Sequence, residues 1–268
     1  MKRFAYISFC LALCLLFAGC TRTRINSFSV ETPEAPEVSG AHGYMESRSM
    51  SYRFSGSVTV SPKKDMAVSG SYSNYSSDSL LQDSRSFHTT GVYEFGGTDM
   101  NASFDWFGKA AFMLFGFGVG YDDGIFHHLK LGFNTPVVEG GVFFGLFHQY
   151  TTMHVSGSTC DTWPCDERGD NWDSMSDTKT EFFTTIHYGA FASFFIDDFF
   201  MSYSLSIYSP SVEGGGESVS TPDIYSHYLK AGYRITKHWE VSAGIIMSFV
   251  DPDYRHFAGN VGASFYLK

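Results

Sequence analysis

The chain has 268 residues, of which 17% are charged and 18% aromatic, and a formal net charge of −10. Nucleic-acid binding needs clustered Lys and Arg, so this acidic balance excludes it. The 43% of hydrophobic residues excludes a disordered chain. Charged residues are also scarcer than the roughly 25% of a typical soluble domain, so few groups are available to coat a water-exposed surface.

Residues 1–19 have the pattern of a secretory signal peptide: two basic residues, a nearly unbroken apolar stretch, and small residues at the end. The ending Leu16-Phe17-Ala18-Gly19-Cys20 resembles the bacterial lipobox. This resemblance implies cleavage before Cys20 and attachment of lipid there, with palmitate-type acyl chains holding the N-terminus in a membrane. Thr21 replaces the Asp that retains enteric lipoproteins in the inner membrane, which favours the outer membrane. An ordinary signal peptide with a coincidental cysteine is the alternative.

Residues 20–47 contain prolines and few large apolar side chains, which predicts a lipidated, flexible tether in front of a domain at 48–268. Loss of the signal peptide removes two cations and shifts the formal charge from −10 to −12. Two other cysteines, Cys160 and Cys165, bracket a short polar stretch. In an exported protein this pair indicates a disulfide that closes a small loop. A zinc or redox site is the weaker interpretation, because no second ligand pair is present.

From residue 48 onward, apolar and polar residues alternate with period two, which predicts strands. In 239–249, for example, alternate residues from Trp239 to Phe249 are all apolar, and Ser, Gly and Glu dominate the positions between. Short turns between the strands indicate an antiparallel meander. The predicted strands are 48–61, 65–76, 86–96, 99–107, 111–121, 126–134, 139–155, 178–195, 199–209, 223–235, 238–250 and 255–267.

The composition of the two strand faces favours a membrane barrel over a soluble sheet. In 111–121 the apolar face carries large side chains suited to lipid, and the opposite face carries Gly116, Gly118 and Gly120. A soluble β-domain with core aromatics is the alternative. Aromatic residues near strand ends are typical of interfacial girdles. They are Tyr93, Trp106, Tyr121, Tyr150, Phe199, Tyr233, Trp239 and Phe249.

Loop lengths point the same way, because short turns would lie on the periplasmic side and the long loops 156–177 and 210–222 outside. The pattern from Tyr228 to Gly244, with its Lys-Ala-Gly-Tyr-Arg core, resembles small bacterial outer-membrane β-barrel proteins. The resemblance implies an all-β fold: an antiparallel up-and-down transmembrane β-barrel of about 12 strands, with ten also possible. It also implies outer-membrane lipid and the barrel-assembly and lipoprotein-sorting machinery as partners.

No catalytic motif is found, so we expect no enzyme activity, no cofactor and no metal site. Glu181 and His187 cannot form a dyad, because they lie six residues apart on one strand, about 20 Å. The strand faces place a mixed set of charges in the lumen, where charges persist only when paired or hydrated. The candidate lumen charges are Arg53, Glu94, Asp105, Lys130, Glu181, His187, Lys230, Arg234 and Glu240.

The sequence therefore predicts a lipid-anchored outer-membrane β-barrel with a structural or narrow-channel role. The alternative is a lipid-tethered soluble β-domain that acts as a periplasmic or surface binding module. The pattern names no surface ligand.

Overall fold

The computed structural model describes residues 22–32, 34–75, 84–160, 172–210, 212–214, 217–251 and 254–267. These residues form strands in chain order, linked by turns and by one long irregular stretch before β2. The strands are β1 (Arg22–Glu31), β2 (Met50–Tyr75), β3 (Ser84–Ala110), β4 (Met113–Tyr121), β5 (Gly124–Asn134), β6 (Val138–Cys160), β7 (Asp173–Ile196), β8 (Phe199–Tyr208), β9 (Val212–Gly214), β10 (Glu217–Val219), β11 (Ile224–Arg234), β12 (Trp239–Asp251) and β13 (Tyr254–Leu267).

In the described part of the chain, ten strands close into a barrel in the order β2-β3-β4-β5-β6-β7-β8-β11-β12-β13. Every neighbouring pair is antiparallel, and β13 pairs with β2 to complete the ring. The predicted antiparallel up-and-down β-barrel is therefore confirmed, and its wall takes the ten-strand alternative. No helix among the described residues is long and apolar enough to cross a membrane.

Two predicted turns prove to be irregularities inside continuous strands. β2 and β3 each run through the positions expected to separate two strands, and they stay paired on both sides of a register shift between Ser61 and Lys64. Gly96 and Gly97 absorb the distortion with φ of 108° and 151°, which other residues rarely adopt. Four predicted segments thus merge into two long strands. A glycine pair is typical of both a bulge and a turn, so the sequence alone predicts a turn here.

An apolar belt surrounds the barrel. Its outward positions are exposed and large along every wall strand, as at Phe117 on β4, Leu129 on β5 and Val241 on β12. Strands β4 and β5 of the short hairpin have nine and eleven residues. This is the length that a tilted strand needs to cross a membrane. Seven of the predicted girdle aromatics lie outside the core, and five of these are exposed: Tyr121, Tyr150, Phe199, Tyr233 and Trp239.

The two ends of the barrel differ. Turns of two to four residues join the strands at one end, as at 111–112 and 197–198, and both ends of the wall (residues 50 and 267) lie there. The opposite end carries the connections 161–172 and 209–223, and β2, β3, β6 and β7 continue well beyond the belt. We call these the short-turn end and the long-loop end.

Beyond the belt, the long strands form an extension with its own apolar core. There β1 lies between β3, in parallel pairing, and β6, in antiparallel pairing, above the short β4–β5 hairpin. The hairpin β9–β10 covers β2 through a bridge between Ser71 and Ser220. The buried core of this extension includes Ile25, Phe28, Val30, Met66, Tyr93, Phe95, Met153 and Val155.

Candidate functional site: the lumen and the segment inside it

The lumen is occupied by the chain's own N-terminal part. Strand β1 ends at Glu31 at the long-loop end, while β2 begins at Met50 at the short-turn end. The residues between them must therefore run through the barrel, and 34–45 are mostly buried. We call residues 34–45 the luminal segment. Its backbone is irregular, so at membrane depth its polar groups need partners from the wall.

The strongest charge cluster of the lumen is centred on Asp105 of β3. Its carboxylate accepts hydrogen bonds from Arg53 Nη2 at 2.6 Å and from Lys130 Nζ at 2.7 Å, and all three side chains are buried. His128 Nε2 lies 3.4 Å from the same carboxylate. The two cations also donate to the luminal segment: Arg53 to the carbonyl of Gly40 at 2.6 Å, and Lys130 to that of Ser39 at 2.7 Å.

A second group of wall side chains holds the segment near the short-turn end. Glu139 accepts hydrogen bonds from the backbone N–H groups of Ala41 and His42 at 3.0 and 2.8 Å. Asn134 donates to the carbonyl of Gly43 at 2.9 Å and accepts from the N–H of Met45 at 2.9 Å. Wall side chains thus replace the partners that a strand or water would offer this backbone.

A third group, on β11, β12 and β13, contacts side chains of the segment and one of its carbonyls. Glu240 lies 3.0 Å from His42 Nδ1 and accepts a hydrogen bond from the Tyr266 hydroxyl at 2.9 Å. Lys230 pairs with Glu37 of the segment. Arg234 donates to the carbonyl of His42 at 3.0 Å. The charged wall groups Lys230, Arg234 and Glu240 thus each find a charged or polar partner on the segment, as low-dielectric surroundings require.

Apolar side chains fill much of the remaining lumen, and a small cavity is left beside them. Val38, Ala41 and Met45 pack against Phe107, Leu114, Phe143 and Phe191 of the wall. On the opposite side of the segment, a cavity of about 50 Å³ faces small wall residues such as Ser55, Ala102 and Gly262. This volume has room for a few water molecules.

Seven of the nine candidate lumen charges lie inside the belt. Six of them take part in the three groups above, and His187 is buried among aromatic rings, with its ring centroid 5.9 Å from that of His128. Glu94 and Glu181 lie in the extension instead. Glu94 is on the face opposite the buried Tyr93 and Phe95, so its predicted lumen position is wrong, and Tyr93 is not a girdle residue.

The physical reason lies in the outer surface, which is mostly polar around the extension and apolar around the belt. On β3 the apolar residues of the extension turn inward and its charged residue turns outward, which reverses the rule used for the belt. Glu181 keeps the inward register of β7 but is only partly buried, and its Oε1 lies 3.8 Å from Lys179 Nζ. It therefore lies above the membrane part of the lumen.

Sequence reasoning missed three wall groups that hold the segment, Glu139, Asn134 and Lys109, and it missed His42 within the segment. Lys109, for example, donates to the carbonyl of Met45 at 2.6 Å. The strand positions of Lys109 and Asn134 have the same inward parity as Asp105 and Lys130, so alternation was an available signal for them. For His42, outside every strand, alternation offered none.

The described part of 20–47 also differs from the prediction of a flexible tether. It contains a paired strand and a buried segment held by wall side chains, so the tether expectation is corrected for residues 22–47 as far as they are described. Cys20 and the signal peptide lie outside the described residues. Cys160 is buried at the end of β6, and Cys165 lies outside the described residues, so the disulfide stays a prediction.

Comparisons with known proteins give a fold likeness only. No family model matches the chain, and no curated protein matches it. Three similar solved structures are the monoaromatic hydrocarbon channel CymD (10% identity, 82% of this chain and 88% of that chain, TM-score 0.38), the Pseudomonas putida toluene transporter TodX (8%, 80% and 89%, 0.32) and the Ralstonia pickettii toluene transporter TbuX (8%, 84% and 90%, 0.25). At these TM-scores the likeness carries no argument about what this chain binds or transports.

Proposed function

We propose that this chain is a lipid-anchored outer-membrane β-barrel with a structural or narrow-channel role and no catalytic activity, closed at rest by its own luminal segment. The observation that carries the proposal is the set of buried contacts between the wall and residues 34–45. Three carbonyls of that segment accept hydrogen bonds from Arg53, Lys130 and Lys109. The apolar belt supports a membrane position over the alternative of a soluble tethered domain, because exposed Leu129 and Val241 would be costly in water.

Electrical recording tests the closed state. The wild-type barrel in a planar bilayer should carry no steady current, because the luminal segment fills the polar interior. Glu139→Ala removes the acceptor of two backbone N–H groups of the segment and should produce open events. Glu181→Ala is the matched control, because Glu181 lies in the extension and should leave the barrel silent.

The outcomes separate the two roles. A steady current through the wild-type barrel would contradict closure by the segment. Silence of both the wild type and Glu139→Ala would remove the narrow-channel role and leave the structural one. Slower migration of the boiled protein on a detergent gel, compared with the unboiled protein, checks in each case that the barrel has formed.

The lipid anchor has its own test. Growth with radiolabelled palmitate should label the wild-type chain, and Cys20→Ala should abolish the label. Label that persists in Cys20→Ala would contradict the anchor. The described path also predicts where the anchor begins: Arg22 pairs with Cys160, so the start of the mature chain would lie at the long-loop end. A protease added to intact cells should then remove an epitope inserted after Thr21.

A further inference from the structure

His256, near the start of β13, joins three parts of the chain at the long-loop end of the lumen. Its Nε2 lies 3.0 Å from the carbonyl oxygen of Pro62, in the bulge of β2. Its Nδ1 lies 3.1 Å from Oε1 of Glu34, the first residue of the luminal segment. Its ring stacks on that of Phe95 of β3, with the centroids 5.5 Å apart. The wall, the bulge and the entry of the luminal segment therefore meet at one buried imidazole.

Both nitrogens of this imidazole face oxygen atoms that cannot donate a hydrogen. The Pro62 carbonyl is only an acceptor, and so is the ionised carboxylate of Glu34. A neutral imidazole carries one N–H and can satisfy one of the two oxygens, whereas the imidazolium carries an N–H on each nitrogen. The arrangement therefore fits the protonated form of His256, and loss of the proton would break one of the two contacts.

His256 lies outside the membrane-spanning part of the wall. β13 first pairs with β2 at Gly259↔Val60, and His256 lies beyond that rung, level with Pro62. Although burial lowers the pKa of His256, its contacts with Glu34 and Pro62 raise it more, so the pKa is above its usual 6.5. The charged ring is thus favoured in the folded contact. This stabilisation is complete below pH 6.5 and is lost as the pH rises through the raised pKa.

The carboxylates around Glu34 act in the same direction. On the part of β3 that lies beyond β4, burial and the neighbouring carboxylates of Asp123 and Glu34 raise the pKa of Asp99 to about 6. Repulsion between Asp99 and Glu34 grows as the pH rises through that value, and this adds to the loss of the proton from His256. β12, the strand that pairs with this part of β13, presents the uncharged Ser248. The remaining charged groups around the contact are Glu31, Lys63, Lys64, Asp65, Glu94 and Asp122.

Residues 34–38 lie between the paired strand β1 and the contacts at the short-turn end, and wall side chains hold them there. The N–H of Ala35 donates to Ser226 Oγ at 3.0 Å. Glu34 directly precedes this contact. Loss of its pair with His256 would therefore free the chain at the point where it enters the lumen.

We propose that His256 is a proton-operated latch that fixes residues 34–38 to the wall at acidic pH and loosens them at alkaline pH. Residues 41–45 stay in place at both, because Glu139 and Asn134 hold their backbone. The proposal rests on closure of the lumen by the luminal segment, as proposed above, and it makes that closure tighter in acid.

Hydrogen–deuterium exchange of the purified full-length barrel in detergent tests the latch without any need for current. Rates are measured at about pH 5.5 and about pH 8.5, on either side of the histidine range, and are divided by the intrinsic rate at each pH. Protection of the Ala35 amide should fall about tenfold in alkali, the effect of one pKa unit. Protection of the Ala41 and His42 amides, which donate to Glu139, should stay constant.

Three variants separate the latch from a general effect of pH. His256→Gln should lower the protection of Ala35 at both pH values, because a neutral amide cannot form an ion pair with Glu34. His256→Lys keeps a cation beside Glu34 and should keep Ala35 protected in alkali. His154→Gln is the matched control on the exposed face of β6 and should retain the wild-type pH dependence.

Any other pattern overturns the latch. Protection of Ala35 that does not change with pH, or that changes equally in His256→Gln, would mean that His256 does not control this end of the segment. An equal loss at Ala41 and His42 would mean general loosening of the barrel. Heat-modifiable migration at both pH values checks that each variant has folded.

Planar-bilayer recording of Glu139→Ala links the latch to closure. Its open events should become more frequent as the pH rises, and a frequency that falls would contradict a closure that is tighter in acid. Silence of Glu139→Ala at every pH would remove the narrow-channel role, whereas the latch itself stands or falls with the exchange rates.

Discussion

Strand β3 passes through both the belt and the extension, and its faces change roles between them. In the belt, Phe104 and Trp106 lie on the outward face and Asp105 faces the lumen, paired with two cations. In the extension, Tyr93 and Phe95 are buried inside and Glu94 lies on the outer face. On this strand the belt thus buries a charged residue beside aromatic ones such as Phe107, whereas the extension keeps its charged residue on the outer face. The surrounding solvent, more than strand propensity, decides which face carries which residues.

The test with the largest expected effect on stability places a positive charge on the outer face of each region. Leu129→Arg, in the middle of β5 and 65% exposed, should lower the free energy of unfolding by about 2–4 kcal/mol, because the guanidinium meets lipid near the midplane. His154→Arg, on the exposed face of β6 in the extension, should change it by less than about 0.5 kcal/mol. Urea titration of both variants folded in phospholipid vesicles measures the difference.

Equal losses at the two positions would contradict the assignment of the belt to lipid. A loss at His154→Arg alone would mean that the membrane surrounds the extension instead. Detergent-gel migration confirms that each variant starts from a closed barrel.

A test with a smaller expected effect makes one inward side chain of the extension polar and one inward side chain of the belt apolar. Val155→Thr puts a hydroxyl into the apolar core of the extension and should cost about 1–3 kcal/mol. Ser204→Ala removes a buried belt hydroxyl that has no partner among the described residues, and should be neutral or stabilising by up to about 1 kcal/mol. The same urea titration reports both changes. A stabilising Val155→Thr would show that the extension is not packed around an apolar core.

Most of the belt could be predicted from the sequence because alternation is a local property. The strand from Trp239 was predicted within a residue at each end, and the lumen positions of Arg53, Asp105 and Glu240 follow from parity alone. Glu94 was misplaced because parity assigns a face only once the surrounding solvent is known. The sequence alone does not show at which residues the apolar belt ends and the extension begins.

The luminal segment lay beyond prediction for a different reason. Its residues have no period, and their partners lie far along the chain: Glu139 is 98 residues from Ala41, and Tyr228 is 193 residues from Ala35. Only the wall supplies the donors and acceptors that bury such a backbone, and the wall exists only in the folded chain.

The path of the luminal segment has a consequence for biogenesis. The ring is sealed by a ladder from Gly259↔Val60 to Leu267↔Tyr52, between the last strand of the chain and the first strand of the wall. A closed ring encloses residues 34–45 on every side. Strand β1 must therefore already lie at the long-loop end when β13 pairs with β2. Threading a finished ring would require strand β1 to pass through a lumen lined with ion pairs. We therefore expect the luminal segment to be in place before the seam between β13 and β2 closes.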